Sequence, residues 1–349
     1  MRDAMSPGFG SLQPDMESIL AMGQCPPFRE DDFEPATQSE KETFIEVRKS
    51  MSYWQDAWRR LKKNKVAMVA LGVIILFLLF AFVGPLFSPY SYEQQIRGAE
   101  NLASSLAHPF GTDSLGRDLL VRVMYGSRIS LAVGVIASLI VLVIGSIYGS
   151  VSGYLGGRVD DIMMRIVELI YSIPDVLVVL LLSTVLKVPL QQAFNSNNFF
   201  RFLSTLGPGL ISIFIVFGML YWVGMARILR GQILQLKQQE YVTAARALGA
   251  NSSRIIRRHL LPNCIGQIIV TTMLQIPSAI FLESFLSFLG LGIAAPLASL
   301  GSLCSDALNG IYTYPMRLVF PAVILSILIL AFNLFGDGLR DALDPRLKK

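Results

Sequence analysis

Long, nearly charge-free apolar runs recur along this chain, and they constrain its fold more than any other feature. A helix needs about 20 apolar residues to cross a hydrocarbon core. Six candidates have that character: Val66–Phe87, Ile129–Ser152, Ile162–Leu186, Pro208–Ala226, Ile265–Phe288 and Leu318–Phe335. The runs are continuous rather than alternating, which argues against a lipid-facing barrel. Hydrophobic residues make up 53% and charged residues 16%, with a mean hydropathy of +0.53, an apolar excess that a soluble chain of this size could not hide. The expected fold is all-α, a polytopic membrane protein with six transmembrane helices. A seventh apolar stretch, Ser284–Ser305, holds Gly290, Gly292, Pro296 and Gly301. It reads as an irregular or re-entrant segment buried in protein, because lipid-exposed irregular backbone is too costly. The first run starts too late for a cleavable signal peptide and reads as an uncleaved anchor.

Basic residues give the orientation. They crowd before the first span (Arg48 to Lys65), between spans four and five (Arg227 to Arg258) and after the sixth (Arg340 to Lys349), and are sparser in the other loops. This bias, with an even number of spans, puts both termini on the cytoplasmic side of the cytoplasmic (plasma or inner) membrane. The first 47 residues differ, with ten acidic residues against Arg2, Arg29 and Lys41. The division expected is an acidic disordered tail (1–50), a basic segment with the first span and an external loop (51–127), and a core of five spans (128–349). The tail is either a solvated extension or a docking segment.

Recognisable catalytic chemistry is missing from the sequence. Cys25, Cys264 and Cys304 are scattered, and His108 and His259 are the only histidines, so neither a zinc site nor a disulfide framework is expected. There is no GxxxxGK[ST], HExxH, GxSxG or GxGxxG. The chain is read as no enzyme, with no catalytic residue, cofactor or metal and no nucleic-acid partner. Any nucleotide hydrolysis would reside on another chain.

The informative loop is 227–264. Helix formers run to Leu248, Gly249 suits a helix C′ position, Asn251 to Ser253 supply an N-cap, and Pro262 should break or kink the chain before span five. Tyr241, Val242, Ala244, Ala245 and Leu248 give the hairpin a partly apolar face. It could lie on headgroups or enter a cytoplasmic partner. A shorter connection between spans two and three has a turn at Gly156 and Gly157, and Asp160 and Asp161 to complement the next helix's dipole. In the external loop, Gly111, Thr112 and Asp113 read as a turn and cap. Leu115, Leu119, Val123 and Ile129 suit an amphipathic helix lying on the outer surface.

Polar groups inside the spans are the other signal. Gly145, Gly149 and Gly153 recur every four residues and let a helix approach closely, within the subunit or from a second one. Span three carries Arg165, Glu168 and Asp175, where one charge near the bilayer centre costs roughly 2.5–3.5 kcal/mol. Arg165 and Glu168 can pair. Asp175, deeper and beside a kink at Pro174, should face the protein interior, in a structural pairing or along a water-filled pathway. Glu283 should lie near the outer end of span five and reach water, or line a pathway.

The loop resembles the cytoplasmic signature of permease subunits in binding-protein-dependent ABC importers: EAA, three residues, Gly, nine residues, then I-x-L-P. Here Thr243-Ala244-Ala245 precedes Gly249, and His259-Leu260-Leu261-Pro262 follows at the matching distance, with Thr243 in place of Glu and His259 in place of Ile. HPFGTDSLGRD (108–118), YVTAARALGA (241–250), SFLGLG (287–292) and GDGLRDALDPRL (336–347) are similar to the C-type subunit of oligopeptide, dipeptide and nickel permeases. The resemblance covers about Trp54 to the end. It implies a type I importer half-channel paired with a homologous B-type permease. It also implies two cytoplasmic ATPase subunits, an external solute-binding protein, and peptides moved by alternating access. Glu240, Tyr241, Thr243, Ala244, Ala245, Arg246, Gly249, Leu261 and Pro262 would form the ATPase-coupling surface. Nickel or another small solute is the alternative cargo. A self-sufficient secondary carrier, which would need its own midplane ion site, and a membrane enzyme or scaffold are the competing classes.

Overall fold

The computed structural model describes residues 52–196, 207–293, 295 and 297–343. The acidic stretch 1–50, Arg201, Pro296 and residues 344–349 therefore lie outside the described residues. Among the described residues, six helices are long and apolar enough to cross a membrane: Lys65–Phe82, Leu119–Leu155, Asp175–Phe194, Pro208–Leu236, Ser252–Phe288 and Met316–Leu343. Regular structure among the described residues is helical, apart from one bridge between Thr112 and Asp118.

Helix α1 (Tyr53–Lys63) precedes α2 (Lys65–Phe82), the first crossing, whose N-cap Asn64 accepts the Ala67 N–H at 3.1 Å. The crossing ends five residues short of Phe87 because Gly84 and Pro85 open a 3-10 turn. Helix α3 (Leu119–Leu155) has 37 residues, a rod of about 55 Å. The expected surface helix does not form. Gly116 adopts φ +71° and Asp113 accepts the Leu115 and Arg117 N–H groups, holding 113–117 in a turn. Asp118 then caps α3, which runs unbroken into the crossing, with Leu119 and Val123 buried and Leu115 outside it.

The third crossing is not one helix over 162–186. Ile173, ahead of Pro174, is held in extended backbone (φ −88°, ψ 134°), as a residue before proline tends to be. The chain therefore divides into α4 (Gly157–Ser172), which folds back along α3, and α5 (Asp175–Ser196). Helix α6 (Pro208–Val216) continues through a π-turn at Phe217–Tyr221 into α7 (Trp222–Leu236). Residues 227–236, assigned to the loop from sequence, extend this rod because Leu229 and Ile233, four apart, are both fully buried. After the short helices α8 (Glu240–Ala247) and α9 (Ser252–Ile255), the chain enters α10 (Ile265–Phe288) through a π-turn and a 3-10 turn. Pro262 occupies the first turn of that 3-10 segment, where no donor is lost, so it leaves the helical path intact. The stretch after α10 is irregular and packed inward. Ile293 and Ala298 are buried, and α11 (Leu300–Leu308) follows, its N-cap Ser299 in a capping box with Ser302. Helix α12 (Met316–Leu343) closes the fold, with Gly336 and Gly338 letting it approach Leu274 and Ala67.

Helix α3 is the centre of the packing, against α7, α10 and α2, while α12 bridges α10 and α2. The boundary drawn at 127/128 falls inside α3, and residues from Tyr53 onward form one unit. The glycine row of α3 lies on α7. A Cβ on Gly145 would come within 2.6 Å of Met225 Cβ, one on Gly153 within 2.9 Å of the Arg230 carbonyl, and one on Gly149 would collide with the Ala226 carbonyl. The row therefore serves contact within the subunit, not an interface with a second one. The Tyr53 hydroxyl donates to the Leu343 carbonyl at 3.2 Å and lies against Gly266, so α1 and the end of α12 meet at the end that carries the loop of α8 and α9.

Gly149→Ala is expected to destabilise the protein by about 1–3 kcal/mol, since a backbone carbonyl cannot step aside as a flexible side chain can. Gly72→Ala, whose new Cβ meets nothing within 4 Å, is the matched control. Equal melting temperatures for the two variants in detergent would remove the packing role of the row.

Candidate functional site

The loop between α7 and α10 folds as a compact hairpin. Gly249 at φ +79° lets its N–H donate to the Arg246 carbonyl and the Ala250 N–H to the Ala245 carbonyl, each at 3.0 Å, closing the end of α8 as a left-handed cap does. The Asn251 side chain accepts the Arg254 N–H at 2.8 Å and opens α9. Val242, Ile255 and Leu260 are fully buried and join Leu229 and Ile233 of α7 in one cluster. Ala245 is also buried, and its carbonyl accepts the Ala250 N–H. The outward surface carries Glu240, Tyr241, Thr243, Ala244, Arg246 and Gly249, with Leu248 89% exposed at the tip. Leu261 is half-buried and Pro262 exposed at the base.

Ion pairs and hydrogen bonds brace the hairpin's supports. Asp160 of α4 accepts from Arg230 Nε at 2.6 Å, from Arg230 Nη2 at 2.5 Å and from the Ser152 hydroxyl at 2.5 Å. Lys237 Nζ donates to the Gly153 carbonyl at 2.8 Å, and the Arg246 guanidinium sits 5.9 Å from the Tyr154 ring centre. A cleft of about 510 Å³ opens among Tyr154, Leu155, Lys237, Gln238 and Arg246. Sequence reading took Asp160 as a dipole partner only. Its pairing with Arg230, 70 residues away, depends on the packing of α3 against α7 and had no local signal. The Arg230 hydrogen bond outweighs burial and holds the Asp160 carboxyl below the usual carboxylate range.

The three carboxylates that the sequence assigned to spans three and five occupy different settings, and Glu168 lies outside the crossing helices. Glu168 pairs with Arg165 at 3.1 Å on the exposed face of α4. Asp175 opens α5 at the break after Pro174 and accepts the Tyr221 hydroxyl at 3.2 Å. It is exposed on the chain's own surface, not enclosed, because the break turns the start of α5 outward. It lines a cavity of about 560 Å³ with Tyr221 and Gln275, neither of which the sequence singled out. Glu283 does not reach water: it is fully buried. Ser130 donates to it at 2.9 Å, Ser287 at 2.7 Å and Ser284 at 3.3 Å. Ser287 and Ser130 also accept the backbone N–H groups of Ile293 and Leu300, so this cluster pins the irregular segment to α3 and α10.

On the opposite end of α3, Asp113 gathers Arg117 Nε at 2.7 Å and Arg122 Nη1 at 2.5 Å, with Asp306 3.4 Å from Arg122 Nη2. His108 stacks on Tyr90 and bonds Asp118 at 2.7 Å. The HPFGTDSLGRD string therefore builds the cap of α3 and its ion cluster.

Comparison with known proteins matches residues 142–349 to the family described as binding-protein-dependent transport system inner membrane component. Residues 52–107 match the N-terminal TM domain of oligopeptide transport permease C. The chain is 51% identical to the dipeptide transport system permease protein DppC of Bacillus subtilis, over 86% of this chain and 88% of that one. It is 46% identical to the oligopeptide transport system permease protein OppC of the same organism, over 91% and 97%. The OppC of Escherichia coli K12 is likewise 46% identical, over 84% and 92%.

Because the folded pKa of Asp160 is lowered, its stabilisation is present above the unfolded carboxylate value and fades as pH falls through the folded one. Asp160→Asn should cost about 1–3 kcal/mol at neutral pH, and the gap from wild type should close below about pH 4. A melting-temperature difference independent of pH would refute the charge assignment.

Proposed function

Since this chain belongs to the binding-protein-dependent inner-membrane transport permeases, in their C-type oligopeptide and dipeptide branch, we propose that it is one half of an ATP-driven peptide importer. It is a permease subunit and not itself an enzyme, and it is a multi-pass protein of the inner membrane. In this reading the hairpin end and both termini face the cytoplasm, and a homologous B-type permease supplies the other half of the pathway. Two ATPase subunits bind from the cytoplasm, and a solute-binding protein delivers peptide to the far side. The dipeptide and oligopeptide transport names of the relatives favour peptides over nickel as cargo, and family membership favours an ATP-coupled subunit over a self-sufficient carrier.

The observation that carries this reading is the hairpin itself. It is too small for a core of its own, is seated on α7 by Val242, and presents Tyr241, Thr243, Ala244 and Leu248 outward. Glu240 and Arg246 add charge to that surface, Gly249 shapes its end, and Leu261 and Pro262 join it to α10. Closure of the ATPases on ATP would push this surface. The push would pass through the Asp160–Arg230 and Lys237–Gly153 ties into α3, α4 and α7 and reorient the crossings, giving alternating access.

Ala244→Glu and Leu248→Asp place charge on the outward surface without touching the packed side. Each should lower ATP-dependent peptide uptake into proteoliposomes about tenfold or more, as loss of a central interface contact does, while insertion and pairing with the second permease persist. Gly249→Pro, which removes a used N–H and forbids the positive φ, should abolish uptake. Full uptake by all three, or purification of an active assembly without ATPase subunits, would end this proposal.

A further inference from the structure

The cavity beside Asp175 is bounded by the joint between α4 and α5, by the middle of the α6–α7 rod and by α10, and its polar lining is Tyr171, Ser172, Asp175, Tyr221 and Gln275, with Arg227 stacked on the Tyr171 ring at 4.1 Å. At about 560 Å³ it falls within the roughly 300–1,000 Å³ typical of small-molecule sites. Both hydrogen-bond donors recorded to the Asp175 carboxylate are neutral: the Tyr221 hydroxyl at 3.2 Å and the Val176 N–H at 2.9 Å. Asp175 is the first residue of the crossing helix α5, and a carboxylate at the start of a span does not face lipid without compensation, so its surface opens toward protein or water. A second feature continues from it. Gln267, Thr271, Gln275 and Ser278 of α10 recur at spacings of four, four and three, one face of a helix, and none of them is buried. Gln275 lines the Asp175 cavity, and Gln267 lines a separate cavity of about 830 Å³ at the hairpin end. One face of α10, apart from its buried Glu283 cluster, thus leads polar groups from the carboxylate to the hairpin end.

We propose that this cavity is a waypoint on the peptide's route, where the Asp175 carboxylate, oriented by Tyr221, receives the α-ammonium group and the Gln275 amide meets a peptide group. The inference rests on the peptide-transport reading above. Its chemistry suits a permease with many cargoes. Peptides with free ends share an ammonium that is mostly protonated at neutral pH, so one carboxylate holds them irrespective of side chains. A single ion pair with neutral supports is weak enough to release its ligand. The carboxylate also stands at the positive end of α5, where negative charge is favoured.

The test uses the assembled importer in proteoliposomes with saturating binding protein and trialanine, whose only cation is its α-ammonium. Asp175→Asn keeps the shape and both hydrogen bonds and removes the charge. Asp175→Glu restores the charge. The expected result is about a tenfold fall in trialanine moved per ATP hydrolysed for Asp175→Asn, the scale of a charge-assisted bond becoming neutral, and substantial recovery for Asp175→Glu. Assembly and melting temperature should match wild type. Wild-type transport by Asp175→Asn overturns the proposal, as does an equal loss in both variants, which would indicate a purely geometric role. Loss of the partner permease or a lowered melting temperature in Asp175→Asn also overturns it, since the charge would then belong to an ion pair between subunits. Failure of the wild-type assembly to move trialanine at all removes the peptide-transport premise and this inference with it.

Discussion

Peptide groups inside a bilayer find no water, so the chain must close its hydrogen bonds within helices, and the helices must then hold one another without a hydrophobic drive between them. Close approach is what remains, and the structure obtains it with small residues. The Gly145, Gly149 and Gly153 row brings α3 onto the backbone of α7, and Gly336 and Gly338 bring α12 onto α10 and α2. Gly209 abuts the Gly292 carbonyl, and Gly301 the backbone of Ser284. In each of these places the neighbour is backbone or a packed side chain, so dispersion contacts form at close range.

Polar groups are then placed where helical backbone gives out. The irregular stretch after α10 carries N–H groups that no helix satisfies. Ser287 and Ser130 accept two of them and are themselves bonded to Glu283. Burying this carboxylate is costly, and the three serine donors offset part of that cost. The hairpin follows the same logic in a wetter place: Gly249 and Asn251 close two helix ends that would otherwise leave unpaired groups. Asp175 is the exception, with neutral partners and an outward aspect, which is why it stands apart from the structural carboxylates.

Five of the crossings were legible in the sequence because each has a long apolar run, the third was blurred by Arg165, Glu168 and Asp175, and Gly249 and Asn251 were legible because caps are local. What was not legible depended on distance or on neighbours. The extent of the fourth rod was missed because Arg227 and Arg230 look like loop charges, whereas Leu229 and Ile233 between and beyond them decide the matter by burial. The division at Ile173 was read as a kink, since sequence shows a proline but not whether the helix can recover after it. Ala245 is small enough for a partner's approach or for internal packing, and its burial within the chain emerges only once α8 is placed. Glu283 looked exposed because the segment that covers it lies further along the chain. Tyr221 and Gln275 carried no signal until the chain placed them beside Asp175.

One more consequence lies in the length of α3. Its first turn is held in the Asp113–Arg122 ion cluster, and its last turns are fastened to α4 by the Ser152–Asp160 bond and to the end of α7 by the Lys237–Gly153 bond. A continuous helix is stiff along its axis, so this element acts as a strut fixed at both faces. The glycine row lies within this fastened end, so a tilt there is carried along the rod to the Asp113–Arg122 end, and neither rim can widen on its own schedule.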